Sequence, residues 1–472
     1  MNSDCRHLVR FGPVRGFNPA VARRGALRRG TPGRVLALVA ALTFLDPLLA
    51  APAQQPSFEA IVGALRHPDP SVRISAIRQL SEAGYPEAAA PLAAALADPD
   101  DRVQFEALDA ERSLFMLEPV ARRRRVGFVL EVREGSVGER SLLAGPLAVA
   151  PRAVPPELLS GLALALRDDN PRVRLEALYV FGIVAPIGGR SWQAPELRDG
   201  IAWTIEALRR GELPLQVAAV QVSARVLKGC GVSTVAALPD GTSSPCTAVG
   251  DALIEAINSR EPSVRLASMQ ALGALRYPSA VQALTEQFAY YRRGEAAEAA
   301  LEGLAGIGHV SSVPLFSGLL GRSEPAIRGR AIEGLARSGD RSQLAGVERV
   351  AGSERSEAVL LAAAYASQKL GTPSRPDRLV AALANPALRE LAETYLIDLS
   401  ASGGSALAEC LRDPNPMTRA MVADILGFSN DAGVVPALEA ARKDADAGAS
   451  RAAERALARI RLAALQTAER PN

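Results

Sequence analysis

One short pattern recurs down this chain and restricts its fold more than any other feature. It appears first as HPDPSVRISAIRQL at residues 67–80, where an Asp-Pro turn leads into Val72, Arg73, Ala76, Ile77 and Leu80. Variants follow as DPDDRVQFEAL with Val103, DDNPRVRLEAL with Arg174, and REPSVRLASMQALGAL with Val264 and Arg265. Further on come SEPAIRGRAIEGLA with Ile327 and Arg328, ANPALRELAETYL with Leu388 and Arg389, and DPNPMTRAMVADILG with Thr418 and Arg419. Val72 and Val103 are 31 residues apart, and Leu388 and Thr418 are 30 apart. Val264, Ile327 and Leu388 stand at gaps of 63 and 61, with weaker copies between them near residues 295 and 357. A period near 31 residues marks stacked helical hairpins, because one hairpin cannot bury both of its apolar stripes alone.

Each unit reads as two amphipathic helices of roughly three turns. The stretch PEAAAPLAAALADP (86–99) is a first helix, and residues 71–83 form a second. Proline at the start of the second helix costs nothing, since the first N–H groups there have no helical partner. Asp or Asn beside it caps those donors. Small residues such as Ala76, Ala177, Ser268 and Ala331 let neighbouring helices approach closely. Arg73, Arg174, Arg265, Arg328, Arg389 and Arg419 are expected to staple hairpin to hairpin, reaching the neighbour's Asp or helix-end carbonyls, rather than to line a ligand site.

The expected fold is therefore an all-α solenoid of about eleven hairpins. With 48% apolar residues in 472, the chain can bury a long core, and with only 4% aromatics it is poorly suited to a β-sandwich. The beat loosens between residues 103 and 264. A copy around residues 213–227 is flanked by insertions near 185–200 and 228–250, and residues 121–155 are irregular or hold a degenerate copy. Repeats are expected over 54–120 and again over 156–472.

Residues 1–53 read as a removable secretory signal: five arginines between 23 and 34, the apolar run Val35–Leu45, and Ala51-Pro52-Ala53 before Gln54. The mature chain then has no integral membrane segment and is exported, periplasmic or extracellular. The signal takes away eight arginines and two acids, Asp4 and Asp46. Of 54 basic and 51 acidic residues, the rest is left at a net −3. No global basic field remains to hold nucleic acid. In an oxidising compartment Cys230 and Cys246 form a plausible disulfide across a Gly-, Ser- and Pro-rich loop, worth roughly 3 kcal/mol in the chain-entropy model. Cys410 sits on an apolar stripe and reads as a buried small hydrophobe.

The repeats resemble HEAT repeats, and more closely the short bacterial type first noted in phycobilin lyases. That resemblance implies a right-handed α-solenoid whose concave face commonly binds partners. HEAT-like hydroxylases hold iron with His-Glu pairs, whereas here His67 and His309 precede Pro68 and Val310. Neither a phosphate loop, a nucleophile elbow nor zinc-type Cys/His spacing occurs. The basic run Arg122–Arg125 reads as a solvated helix end. Trp192, in an insertion, and Tyr290, Tyr291 and Arg292, at a helix end, are candidate partner contacts, since Trp, Tyr and Arg concentrate at binding hot spots. The function expected is a non-enzymatic scaffold of the cell envelope that binds a protein or peptide on the concave face or the insertions, without a cofactor. A lyase-like or cofactor-carrying protein is the alternative.

Overall fold

The computed structural model describes residues 56–117, 145–185, 195–228, 244–372 and 374–468. The expected signal, Arg122–Arg125, Trp192 and Cys230 lie outside the described residues. Within them the chain is an all-α solenoid of twenty-two α-helices, which pair in order into eleven hairpins. The pairs are α1 (Phe58–Ala64) with α2 (Pro70–Ala83), α3 (Ala89–Ala93) with α4 (Asp101–Phe115), α5 (Pro156–Ala165) with α6 (Pro171–Val184), and α7 (Pro195–Arg210) with α8 (Leu213–Val226). Next come α9 (Pro245–Ala256) with α10 (Pro262–Leu275), α11 (Val281–Tyr291) with α12 (Glu295–Ile307), α13 (Val313–Leu319) with α14 (Pro325–Ser338), and α15 (Leu344–Ala351) with α16 (Glu357–Leu370). The last are α17 (Asp377–Ala382) with α18 (Arg389–Ser400), α19 (Ser405–Ala408) with α20 (Pro416–Leu426), and α21 (Val435–Ala441) with α22 (Ala447–Ala468).

Turn chemistry starts the even-numbered helices. The side chains of Asp69, Asn170 and Asn415 accept the N–H of Ser71, Arg172 and Met417 at 2.9–3.0 Å, and proline fills the next position in each case. Each even helix packs on the next, from α2 through to α22, and forms an unbroken row. The weak copies near 295 and 357 are α12 and α16, full members of that row. The first helices are shorter than their periodicity suggests. Residues 86–97 break into a 3-10 turn, α3 and a second 3-10 turn, where Pro91 withdraws a backbone donor from the middle of the segment.

Small residues set the spacing of the row. A Cβ on Gly273 would stand 2.8 Å from the Gly303 Cα, and one on Gly303 would stand 2.4 Å from the Met269 carbonyl oxygen. Helices α10 and α12 therefore touch backbone to backbone. The core runs along the whole row, from Ile77 and Leu80 through Leu272 and Leu335 to Ala456 and Leu457.

The row also curls. Arg276, at the end of the fifth hairpin, donates to Asp398 in the ninth at 2.8 Å. A contact across four hairpins requires the even helices to line the inside of the curve. The last helix closes further: Arg459 donates to the carbonyl of Val149, at 3.1 Å, in the connection between the second and third hairpins. No helix among the described residues is long and apolar enough to cross a membrane.

Candidate functional site

The inner surface is built from side chains on the last turns of the even helices and just beyond them. Asp398 on α18 is its hub. It accepts from Arg276 at 2.8 Å and from the Tyr365 hydroxyl, and it faces Lys369 Nζ at 3.6 Å and Arg337 Nε at 3.9 Å. Four hairpins thus converge on one carboxylate. Burial alone would raise the Asp398 pKa, but Lys369, Arg276, the Tyr365 hydroxyl and Arg337 reverse this and bring it down to about 2.

A second carboxylate lies beside the first. Glu333 on α14 accepts from the Tyr395 hydroxyl and from Arg330 at 3.0 Å, with Arg337 at 3.4 Å. The Tyr365 and Tyr395 rings stack at 4.4 Å, and the Arg337 guanidinium lies over Tyr365, 5.5 Å from its centroid. Burial raises both phenol pKa values, so the two hydroxyls act as neutral donors. Lys228, just past α8, is open to solvent on this same inner surface. Partial desolvation by the protein around its base lowers its pKa; Asp398 opposes that effect, while Arg337, Arg276 and Arg225 add to it.

This surface lies on a chain whose sequence matches the family model described as HEAT repeats over residues 47–110 and 312–397. Residues 264–289 match the PBS lyase HEAT-like repeat. Over those residues the chain matches HEAT repeats. A comparison with the curated proteins gave no match. Among solved structures, an engineered protein is 17% identical, with a TM-score of 0.40 over 86% of this chain and 98% of its own. The karyopherin Kap121p, solved bound to the extreme C-terminus of the protein phosphatase Cdc14p, is 14% identical. Its TM-score is 0.35, over 85% of this chain and 45% of its own, so this chain spans less than half of Kap121p. Scores this low leave the architecture to be read from the helices themselves.

The six arginines at the starts of the second HEAT helices share one habit. Each donates to the carbonyl six residues back, in the turn of its own hairpin: Arg73 to His67, Arg174 to Asp168, Arg265 to Ser259, Arg328 to Arg322, Arg389 to Leu383 and Arg419 to Asp413. Three also grip an acid in the turn of the next hairpin with two nitrogens. Arg73 holds Asp98, Arg328 holds Glu354 and Arg419 holds Asp444, at 2.7–2.9 Å. The carbonyls thus belong to the arginine's own hairpin, and only the acids belong to the neighbour. Gln104 takes the arginine's place in the second hairpin and donates to Leu96 O and to Asp168 in the third.

The remaining candidates do not join the Asp398 cluster. Tyr290 is 79% exposed at the end of α11, where its ring meets Tyr291 edge-on at 5.0 Å. Arg292 follows with a φ of 62°, exposed, and ends that helix. Cys246 is half-buried in the first turn of α9, while Cys410 is fully buried and free. Trp203 packs against the core from a half-buried position. His67 and His309 are exposed turn residues, and no metal-binding group of His, Cys, Asp or Glu occurs among the described residues.

One residue invisible to motif reasoning is Glu111 on α4. It is fully buried, and neither carboxylate oxygen has a hydrogen-bond partner. Burial raises its pKa well above 4.5, so it is held as the neutral acid. Glu111 lies seven residues after Gln104, in the column that Leu80, Phe181, Leu272 and Leu335 fill elsewhere.

Proposed function

We propose that this chain is a non-enzymatic interaction scaffold that takes a partner protein or peptide on the inside of its curve. One observation carries this reading. The row of even helices brings Lys228, Arg276, Arg337, Lys369 and Asp398 from five hairpins together, with Lys228 exposed, Arg276 and Lys369 partly so, and Arg337 and Asp398 mostly covered. Side chains gathered over so much of an array form a recognition surface. The same groups are poorly tuned for acid–base chemistry. General catalysts work best with pKa values near the working pH, whereas Asp398 is drawn down to about 2 and the two phenols are pushed up. The lyase-like alternative has in its favour the repeat match at 264–289. The exposed Tyr290–Arg292 patch is a second contact surface of this scaffold.

Arg73, Arg328 and Arg419 tie hairpin to hairpin, Arg174 and Arg265 brace their own turns, and binding is left to other side chains. The signal-like pattern in residues 1–53 supports a location outside the cytoplasm, where Cys230 and Cys246 would join in a disulfide. The test is affinity capture from an envelope extract with the mature protein, using a Lys228→Glu, Lys369→Glu variant as control. A partner retained by the native protein and lost by the variant supports the reading. Equal recovery on both, or on neither, overturns it.

A further inference from the structure

Charge balance on the inner surface identifies the chemistry of the partner, on the premise that this surface is where the scaffold binds. Lys228, Arg276, Arg337 and Lys369 all act on Asp398. Glu333 lies against Arg337 and Arg330, and Glu302 against Arg330 at 3.0 Å. Setting Glu333 wholly against Arg337 leaves Lys228, Arg276 and Lys369 facing the single carboxylate of Asp398. The surplus of positive charge sits on the inside of the curve, around Asp398.

Lys228 is the clearest sign. Among the described residues it has no hydrogen bond and no ion pair, it is open to solvent, and Arg337, Arg276 and Arg225 disfavour its charge. Lys369 keeps only the 3.6 Å approach to Asp398, and Arg276 is one-third exposed beside that same carboxylate. An anion entering here meets donors already fixed in place and relieves repulsion among them.

We propose that this surface binds an acidic peptide segment of a partner, with partner carboxylates pairing with Lys228, Lys369 and Arg276. The site shows its preference by what it already holds. An Arg, a Lys and a Tyr hydroxyl together grip one carboxylate, that of Asp398. The cations come from the fourth, fifth and eighth hairpins, which the curl of the row gathers around that one carboxylate.

The experiment measures fluorescence anisotropy of a labelled Glu-rich peptide, with a Gln-rich peptide of equal length as reference and inorganic phosphate as competitor, on the full chain. The Glu-rich peptide is expected to bind and the Gln-rich one not, with affinity falling as salt is added. Lys228→Gln, at an exposed position, is expected to weaken binding roughly tenfold, and Lys228→Glu to abolish it. Equal binding of both peptides, or binding indifferent to Lys228, overturns the proposal. So does inorganic phosphate that competes at concentrations matching the peptide's own affinity, since the site would then take small oxoanions. If affinity capture returns a partner lost by the Lys228→Glu, Lys369→Glu variant while Glu-rich peptides fail to bind, the scaffold reading stands and only this inference falls.

Discussion

Replacing Glu111 by leucine should make the protein more stable, although it deletes an ionisable side chain from a helix rich in charged residues. Both carboxyl oxygens of Glu111 are buried without a partner. An unsatisfied buried polar group costs about 1–3 kcal/mol. Leucine fills the same column elsewhere in the array, at Leu80, Leu272 and Leu335, and burying its side chain contributes about 1.5–3 kcal/mol. With some loss to imperfect fit, the expected gain is about 2 kcal/mol or more. The effect carries a pH signature. In the folded chain burial holds the proton on Glu111 well above pH 4.5, whereas the unfolded chain releases it near that value. As pH rises past 4.5 the folded state therefore binds more protons than the unfolded one. Stability falls with rising pH, by up to about 1.4 kcal/mol per pH unit, until the folded carboxyl itself ionises. Urea unfolding followed by circular dichroism at several pH values above 4.5 reads both effects. The native protein should weaken as pH rises and the Glu111→Leu variant should lose that slope. A variant less stable than the native protein, or one with the same slope, refutes the argument.

Other outcomes follow from the packing. Gly273→Ala places a methyl against the Gly303 backbone at 2.8 Å and should destabilise by about 1–3 kcal/mol in the same urea assay. Arg73→Lys should lower the unfolding midpoint more than Arg174→Lys, because Arg73 holds both Asp98 oxygens whereas Arg174 bonds carbonyls of its own turn. Asp398 has its pKa drawn from 3.8 to about 2, so its contribution of about 2 kcal/mol is complete above 3.8 and is lost as pH falls toward 2. Acid titration of Asp398→Asn beside the native protein should show that loss in the native protein alone.

The repeat was legible because its parts act locally. An Asp-Pro turn, a cap and an apolar stripe each depend on residues a few positions apart, so the helices at 70–83 and 416–426 could be placed from spacing alone. The onward arginine bonds are only partly written in the sequence, since Arg389 bonds Leu383 O and leaves Asp413 in the next turn untaken. Arg73, Arg328 and Arg419 reach onward where the next turn offers Asp98, Glu354 or Asp444. Arg174 and Arg265 precede turns at Gly211 and Arg292–Gly294, which offer no acid at that place, and the Arg265 Nε is left without a partner. Glu111 was also recoverable, as a carboxylate in a column of leucines, but only after Gln104 is aligned with the arginines. The Asp398 cluster was not recoverable. Curvature accumulates from small rotations at every hairpin, and no spacing in the sequence records that residues 276 and 398 meet.

A double-mutant cycle between those two residues tests the tight inward curl of the HEAT array most directly. The native protein, Arg276→Gln, Asp398→Asn and the double variant are compared by urea unfolding. Partners in contact across four hairpins should show a coupling of about 0.5–3 kcal/mol, despite their separation of 122 residues. Additive effects within about 0.5 kcal/mol would place the fifth and ninth hairpins apart and contradict the account.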